Sequence, residues 1–241
     1  MRIMPKDIMV AFLIIFLMAI LSATVQRIGA GIVYSAESGD SLSNGNDWSM
    51  FQHDPAHSGY TDNEGPHTPN VIWKRQVSMS ARYLVAANGK LFFSSNHLIY
   101  CLDENTGNIL WSQEVYGSIY ATAEYNGKIF LGTFYTSSSN DGLIYCLNET
   151  NGGLLWSYNP SESEGDKVYG MTPTDGKIYT SVYMASEGSA QIICLNETTA
   201  IPLWNYSLDD EEPVSSPTIE DYRAFIISYR LEMINETFGV T

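Results

Sequence analysis

The chain has 241 residues, of which 44% are hydrophobic and 16% charged, and its formal net charge is −15. Residues 1–36 carry +2, which leaves −17 for the remainder. So acidic a domain repels nucleic acid and anionic membrane faces and stays soluble, so neither is expected as a partner.

The first element is an apolar run from Ile8 to Ala23, preceded by Arg2 and Lys6. This order keeps the basic end cytoplasmic and exports the rest of the chain. The run is intermediate between a signal-peptide core and the roughly 20 residues of a spanning helix. Residues 1–36 are therefore read as a hydrophobic helix, either a signal peptide or a membrane anchor, with cleavage favoured by the short run. Small residues close Leu21-Ser22-Ala23 and Ile28-Gly29-Ala30, and no Cys follows the run to carry a lipid. The protein is expected to be secreted, or held on the outer face of the cytoplasmic membrane through residues 8–23. Residues 37–47, rich in Ser, Gly, Asn and Asp, read as a flexible linker.

Residues 48–241 are organised by a repeat. Tyr100-Cys101-Leu102-Asp103 leads to Trp111, Tyr145-Cys146-Leu147-Asn148 to Trp156, and Ile193-Cys194-Leu195-Asn196 to Trp204. Before each phrase stand two apolar segments joined by Asn88-Gly89-Lys90, Asn126-Gly127-Lys128 or Asp175-Gly176-Lys177. Asn-Gly and Asp-Gly between apolar runs mark two-residue hairpins, because both turn residues must take positive φ. Four short strands in about 45 residues make a propeller blade. The prediction is an all-β propeller with three complete four-stranded antiparallel blades. A fourth is begun by Val214 to Tyr229 and by Met233 to Gly239, which mirrors Cys146 to Gly152. Val71-Ile72-Trp73 reads as an orphan fourth strand. Two architectures stay open: a ring of four blades closed by that N-terminal strand, or half of a larger ring, truncated or paired with a second copy.

The phrase resembles the pyrrolo-quinoline-quinone-type (quinoprotein-like) propeller repeat, Ala-x-Asp-x-x-Thr-Gly-x-x-x-Trp. Cys101, Asp103, Thr106, Gly107 and Trp111 stand at its places, while the second copy has Asn151 for Thr and the third Asn196 for Asp and Ala200 for Gly. The segment Asp47 to Tyr60 is similar to that family's lead-in. The resemblance implies that Trp111, Trp156 and Trp204 dock on the next blade near Gly107- and Gly152-like positions, as inter-blade staples. It also implies closure of the last blade by the N-terminal strand. Quinone-dependent dehydrogenases of the family hold a quinone and calcium at the ring axis and carry an adjacent Cys-Cys pair, which this sequence lacks.

No catalytic constellation, cofactor or metal site is expected. Cys101, Cys146 and Cys194 occupy equivalent places on separate sheets and read as small buried residues, too far apart for bridges. His53 and His57 are four apart, but Pro55 lies between them in a loop-like stretch. Asp209-Asp210-Glu211-Glu212 reads as a solvated loop. Asn148, Asn196, Asn205 and Asn235 head Asn-x-Ser/Thr sequons and are candidate glycosylation sites, although turn chemistry alone favours Asn there. The functional expectation is an exported, non-catalytic binding or scaffolding module, whose rim loops meet a protein or glycan partner. The alternative is a truncated piece or subunit of a quinoprotein oxidoreductase.

Overall fold

The computed structural model describes residues 32–36, 47–77, 81–134, 142–160, 166–185, 187–208, 215–227 and 231–235. The apolar run 8–23, most of the linker 37–47 and the acidic run 209–212 lie outside the described residues. All regular structure in the described residues is β-strand. Strands β1 (Ile32–Ala36) and β2 (Val71–Gln76) pair with each other. Blade 1 holds β3 (Arg82–Ala87), β4 (Lys90–Ser95), β5 (Leu98–Asp103) and β6 (Ile109–Glu114), antiparallel in that order. Blade 2 holds β7 (Ser118–Tyr125), β8 (Lys128–Phe134), β9 (Ile144–Asn148) and β10 (Leu154–Tyr158). Blade 3 holds β11 (Lys167–Thr174), β12 (Lys177–Met184), β13 (Ser189–Asn196) and β14 (Pro202–Leu208). Blade 4 shows three strands: β15 (Thr218–Glu220), β16 (Arg223–Ile227) and β17 (Leu231–Asn235).

The hairpins follow from their turn residues. Asn88 and Gly89 have φ of 52° and 71°, Asn126 and Gly127 52° and 70°, and Asp175 and Gly176 51° and 71°. Asn and Asp tolerate this left-handed region and glycine enters it freely, and a turn of this hand matches the twist of the strands it joins. The second and third strands of blades 1–3 are largely buried on both faces. Phe92, Phe93, Phe130, Leu131, Cys101, Cys146 and Cys194 have no exposed surface. These strands therefore read as continuous apolar runs, while the outer strands β6, β10 and β14 are largely exposed.

The hydrophobic core lies between blades. Val85, Phe92, Ile99 and Cys101 of blade 1 pack with Ile119, Ile129, Leu131 and Leu147 of blade 2. Ala121, Phe130, Ile144 and Cys146 of blade 2 pack with Val168, Met171, Ile178 and Leu195 of blade 3. Cys101 and Cys146 thus sit in different cores, and the three cysteines form no disulfide.

A tryptophan marks each junction. Trp73 Nε1 donates to Glu104 O at 2.8 Å, Trp111 Nε1 to Glu149 O at 2.9 Å and Trp156 Nε1 to Glu197 O at 3.0 Å. The Trp73 ring covers Gly107 and the Trp111 ring covers Gly152, where an added Cβ would lie 2.7 Å from Cε3 of the indole. Gly107 and Gly152 have φ of 67° and 71°. Ala200, at the same place in blade 3, is held at φ 58°. Trp204 packs beside Tyr179, with ring centroids 5.9 Å apart, as Trp111 does with Phe92 and Trp156 with Phe130.

Among the described residues the N-terminal strand β2 is not paired with β17 of the last blade. The partner of β2 is β1, whose five residues fall inside the range expected to be leader or anchor. Ser35 lies opposite Trp73 and Ala36 opposite Val71, with a register shift between them. Cys101 and Leu102 face Trp111 and Ile109 in the same way. The backbone of β1 therefore holds the place of a third strand on β2, and β17 is not on it. The repeat was invisible in β1 because its residues do not carry the Cys-Leu-Asp phrase.

Gly152→Ala combines a left-handed alanine with overlap of the Trp111 ring, and should destabilise the protein by roughly 2–4 kcal/mol. Ala200→Gly relieves left-handed strain and should stabilise it by about 0.5 kcal/mol. Urea unfolding of both variants beside the wild type checks the opposite signs.

Candidate functional site

The first strands of the blades line the axis of the array, with β3 packed against β7 and β7 against β11. Blade 4 joins them where Ser216 meets Gly170 and where Thr172 Oγ1 donates to Pro217 O at 2.5 Å. Each first strand has an edge with little or no ladder pairing, β11 meeting β8 only at Lys167 and Phe134, and the N–H groups there need acceptors. Residues 47–60 supply them at the hairpin end of the axis. Ala86 N donates to Trp48 O at 2.9 Å, Glu124 N to Ser49 O at 2.7 Å and Ile219 N to Pro55 O at 2.7 Å.

Ala86, Glu124 and Ile219 each stand two residues before the turn. The corresponding residue of blade 3 is Pro173, which has no N–H. There a side chain substitutes: His57 Nε2 lies 3.2 Å from Thr172 Oγ1, and His57 Nδ1 lies 2.9 Å from Thr218 Oγ1. Burial holds the imidazole below its ordinary pKa, so it bridges blades 3 and 4 in its neutral form. His53 points elsewhere, edge-on to Trp48 at 5.2 Å and beside Asp54. The two histidines do not converge, and no cluster able to hold a metal ion occurs among the described residues.

Glu124 is buried beside this contact, 7% exposed, with Oε1 accepting from Gly127 N at 3.0 Å. Burial pushes its carboxyl up to about 7; Glu149 and Asp47 add to the rise, and the Gly127 N–H and Lys90 oppose it. Between blades 1 and 2, Lys90 Nζ reaches Glu149 Oε1 at 2.8 Å and Asn88 Nδ2 reaches Oε2 at 3.2 Å. Between blades 2 and 3, Lys128 Nζ reaches Glu197 Oε1 at 3.1 Å, with Asn126 Nδ2 at 3.2 Å. Buried carboxylates persist only when paired and hydrogen-bonded in this way. Sequence reasoning missed the pairing of Lys90 with Glu149 and of Lys128 with Glu197. Their signal was present as a Lys after each turn glycine and a Glu after each Asp103-like residue.

The opposite end of the axis is aromatic. The rings of Tyr83 and Tyr120, each 36% exposed, are 6.1 Å apart, and Tyr120 stands edge-on to Phe134 at 5.4 Å. Lys167 Nζ lies over Phe134 at 5.3 Å and over Tyr183 at 5.4 Å.

Of the other residues singled out in the sequence, Cys101, Cys146, Asn148 and Asn196 hold buried or turn positions, and the side chain of Asn235 lies outside the described residues. Burial pushes the Cys101 and Cys146 thiols up to about 12, which leaves them protonated and unreactive. Asn148 Oδ1 accepts from Thr150 N and Asn151 N, and Asn196 Oδ1 from Thr198 N and Thr199 N, so both side chains form turns. Asn205 is exposed on β14.

The sequence matches the family model described as outer membrane protein assembly factor BamB, over residues 65–159 and again over 140–235. No curated protein matches it. Among solved structures it is similar to BamB from Moraxella catarrhalis, with a TM-score of 0.56 and 17% identity, over 70% of this chain and 51% of that one. A europium-containing methanol dehydrogenase gives 0.56 and 18% over 67% of this chain and 32% of the enzyme. A quinohemoprotein alcohol dehydrogenase from Comamonas testosteroni gives 0.52 and 18% over 67% and 27%. The chain thus spans about half the length of that BamB and about a third or less of these dehydrogenases. At such identities the likeness speaks for the fold.

Because the Glu124 carboxyl titrates higher when folded, its contribution favours the folded state below pH 4.5 and is lost as pH rises to about 7. Glu124→Gln keeps the acceptor for Gly127 N without the charge. It should raise the thermal midpoint at pH 8 by roughly 5 °C and leave it nearly unchanged at pH 4.5, as followed by circular dichroism.

Proposed function

The chain belongs to the PQQ-type repeat family whose model is described as outer membrane protein assembly factor BamB, and from that premise we propose that it is an exported, non-catalytic binding module that docks a protein partner outside the cytoplasmic membrane. One observation carries this reading: the hairpin end of the axis is closed by the chain's own segment 47–60, bonded to the first strands of all four blades. The likeness to quinone-type dehydrogenases implies a cofactor at that axis. Here the inward amides of three first strands are already bonded to Trp48, Ser49 and Pro55, and the fourth position is Pro173. The opposite end of the axis, where Tyr83, Tyr120 and Lys167 gather, receives no such contact from segment 47–60 among the described residues.

There Tyr83, Tyr120, Phe134 and Lys167 offer what protein interfaces favour: broad rings with few rotatable bonds and a cation stacked among them. An anionic or aromatic side chain of a partner, presented in an extended segment, fits that surface. Membership in a family described as an assembly factor supports a protein partner over a small substrate.

A photo-crosslinking residue at position 120 should capture a discrete protein species in intact cells. The same residue at position 206, an exposed tyrosine on β14, should not, and Tyr83→Ala should diminish the capture at 120. Oxidation of alcohols by the purified protein supplied with pyrroloquinoline quinone and calcium would overturn the reading.

A further inference from the structure

The junctions between blades follow a rule. The second strand of one blade opens with a lysine that reaches the buried glutamate of the next: Lys90 to Glu149, Lys128 to Glu197. The glutamate is placed by its own blade's hairpin, with Glu149 N donating to Gly127 O and Glu197 N to Gly176 O. Glu104 is set in the same way, with its N–H on Gly89 O, and it already carries the tryptophan of a preceding strand, Trp73. Among the described residues, however, no lysine or arginine pairs with its half-buried carboxylate. Burial, with Asp47 and then Asp103 nearby, pushes that carboxyl up, as expected of an acceptor lacking its cation.

Blade 4 holds the complementary group. Asp221 and Tyr222 take φ of 48° and 60° in the β15–β16 turn, and Arg223 comes next, at the place of Lys90 and Lys128. Arg223 is exposed and unpaired among the described residues. We propose that the Arg223 hairpin of one copy docks on Glu104 of a second copy, so that two chains close a ring head to tail through two identical junctions. A second copy is favoured over closure within one chain because 70% of this chain superposes on only 51% of a protein of the same propeller fold. Blades set at the pitch of the longer ring leave an arc that another copy fills. Two-fold symmetry then makes both junctions equivalent. In the docked state β17 of one copy takes the third-strand place on β2 of the other, and β1 gives it up. This inference concerns assembly and does not depend on the partner proposed at the aromatic end.

Sedimentation equilibrium of the full chain tests it. The wild type should be a dimer. Glu104→Arg and Arg223→Glu should each weaken dimerisation at least about tenfold, through like charges at both junctions. An equimolar mixture of the two variants should regain the dimer, because every junction then pairs opposite charges. That recovery cannot arise from closure within one chain, and it shows that both variants fold. A monomeric wild type, or a dimer indifferent to the two reversals, or a mixture that stays monomeric would overturn the proposal.

Discussion

An indole ring laid over a left-handed glycine sets the strand of Trp73 against blade 1 and blade 1 against blade 2. The ring needs bare backbone beneath it, so Gly107 and Gly152 carry no Cβ where Trp73 and Trp111 lie. The indole N–H needs an acceptor, and the carbonyls of Glu104, Glu149 and Glu197 provide it. Those same glutamates send their side chains to the neighbouring hairpin at two of the junctions. One residue thus fixes the contact twice, through its backbone to the tryptophan and through its carboxylate to the lysine. The apolar cores between blades are then buried from both sides, which no single blade could achieve alone.

Stacked blades leave a second difficulty, the unpaired inner edges of the first strands. Segment 47–60 resolves it with backbone carbonyls on blades 1, 2 and 4 and an imidazole on blade 3, where Pro173 offers no donor. The segment therefore reports on the assembly of all four blades together. The other end of the axis, where Tyr83, Tyr120 and Lys167 gather, has no such cover among the described residues. That difference between the two ends is why we propose the aromatic one as the docking surface.

Much of this arrangement was legible in the residues themselves. The Asn-Gly and Asp-Gly turns and the doubly apolar central strands identify blades, because a two-residue turn of that hand and a strand buried on both faces each demand those residue types. The glycine-tryptophan spacing resembles a known repeat. The glutamate-lysine junctions were written in the sequence too, yet they join residues 59 and 69 apart, so no local pattern announces them. Ala200 departs from the repeat in sequence, and the structure shows its backbone keeping the glycine conformation regardless, since the turn is dictated by the strands on either side.

Residue order alone determines the blades, their turns, the burial of Cys101, Cys146 and Cys194 and the acidity of the domain, because each depends on neighbours within one strand or hairpin. Tertiary structure decides which strand lies on β2, where His57 binds, and that Glu124 is buried while Glu104 has no cation beside it among the described residues. Those outcomes depend on which blade stands beside which, a relation among distant segments that strand periodicity does not encode.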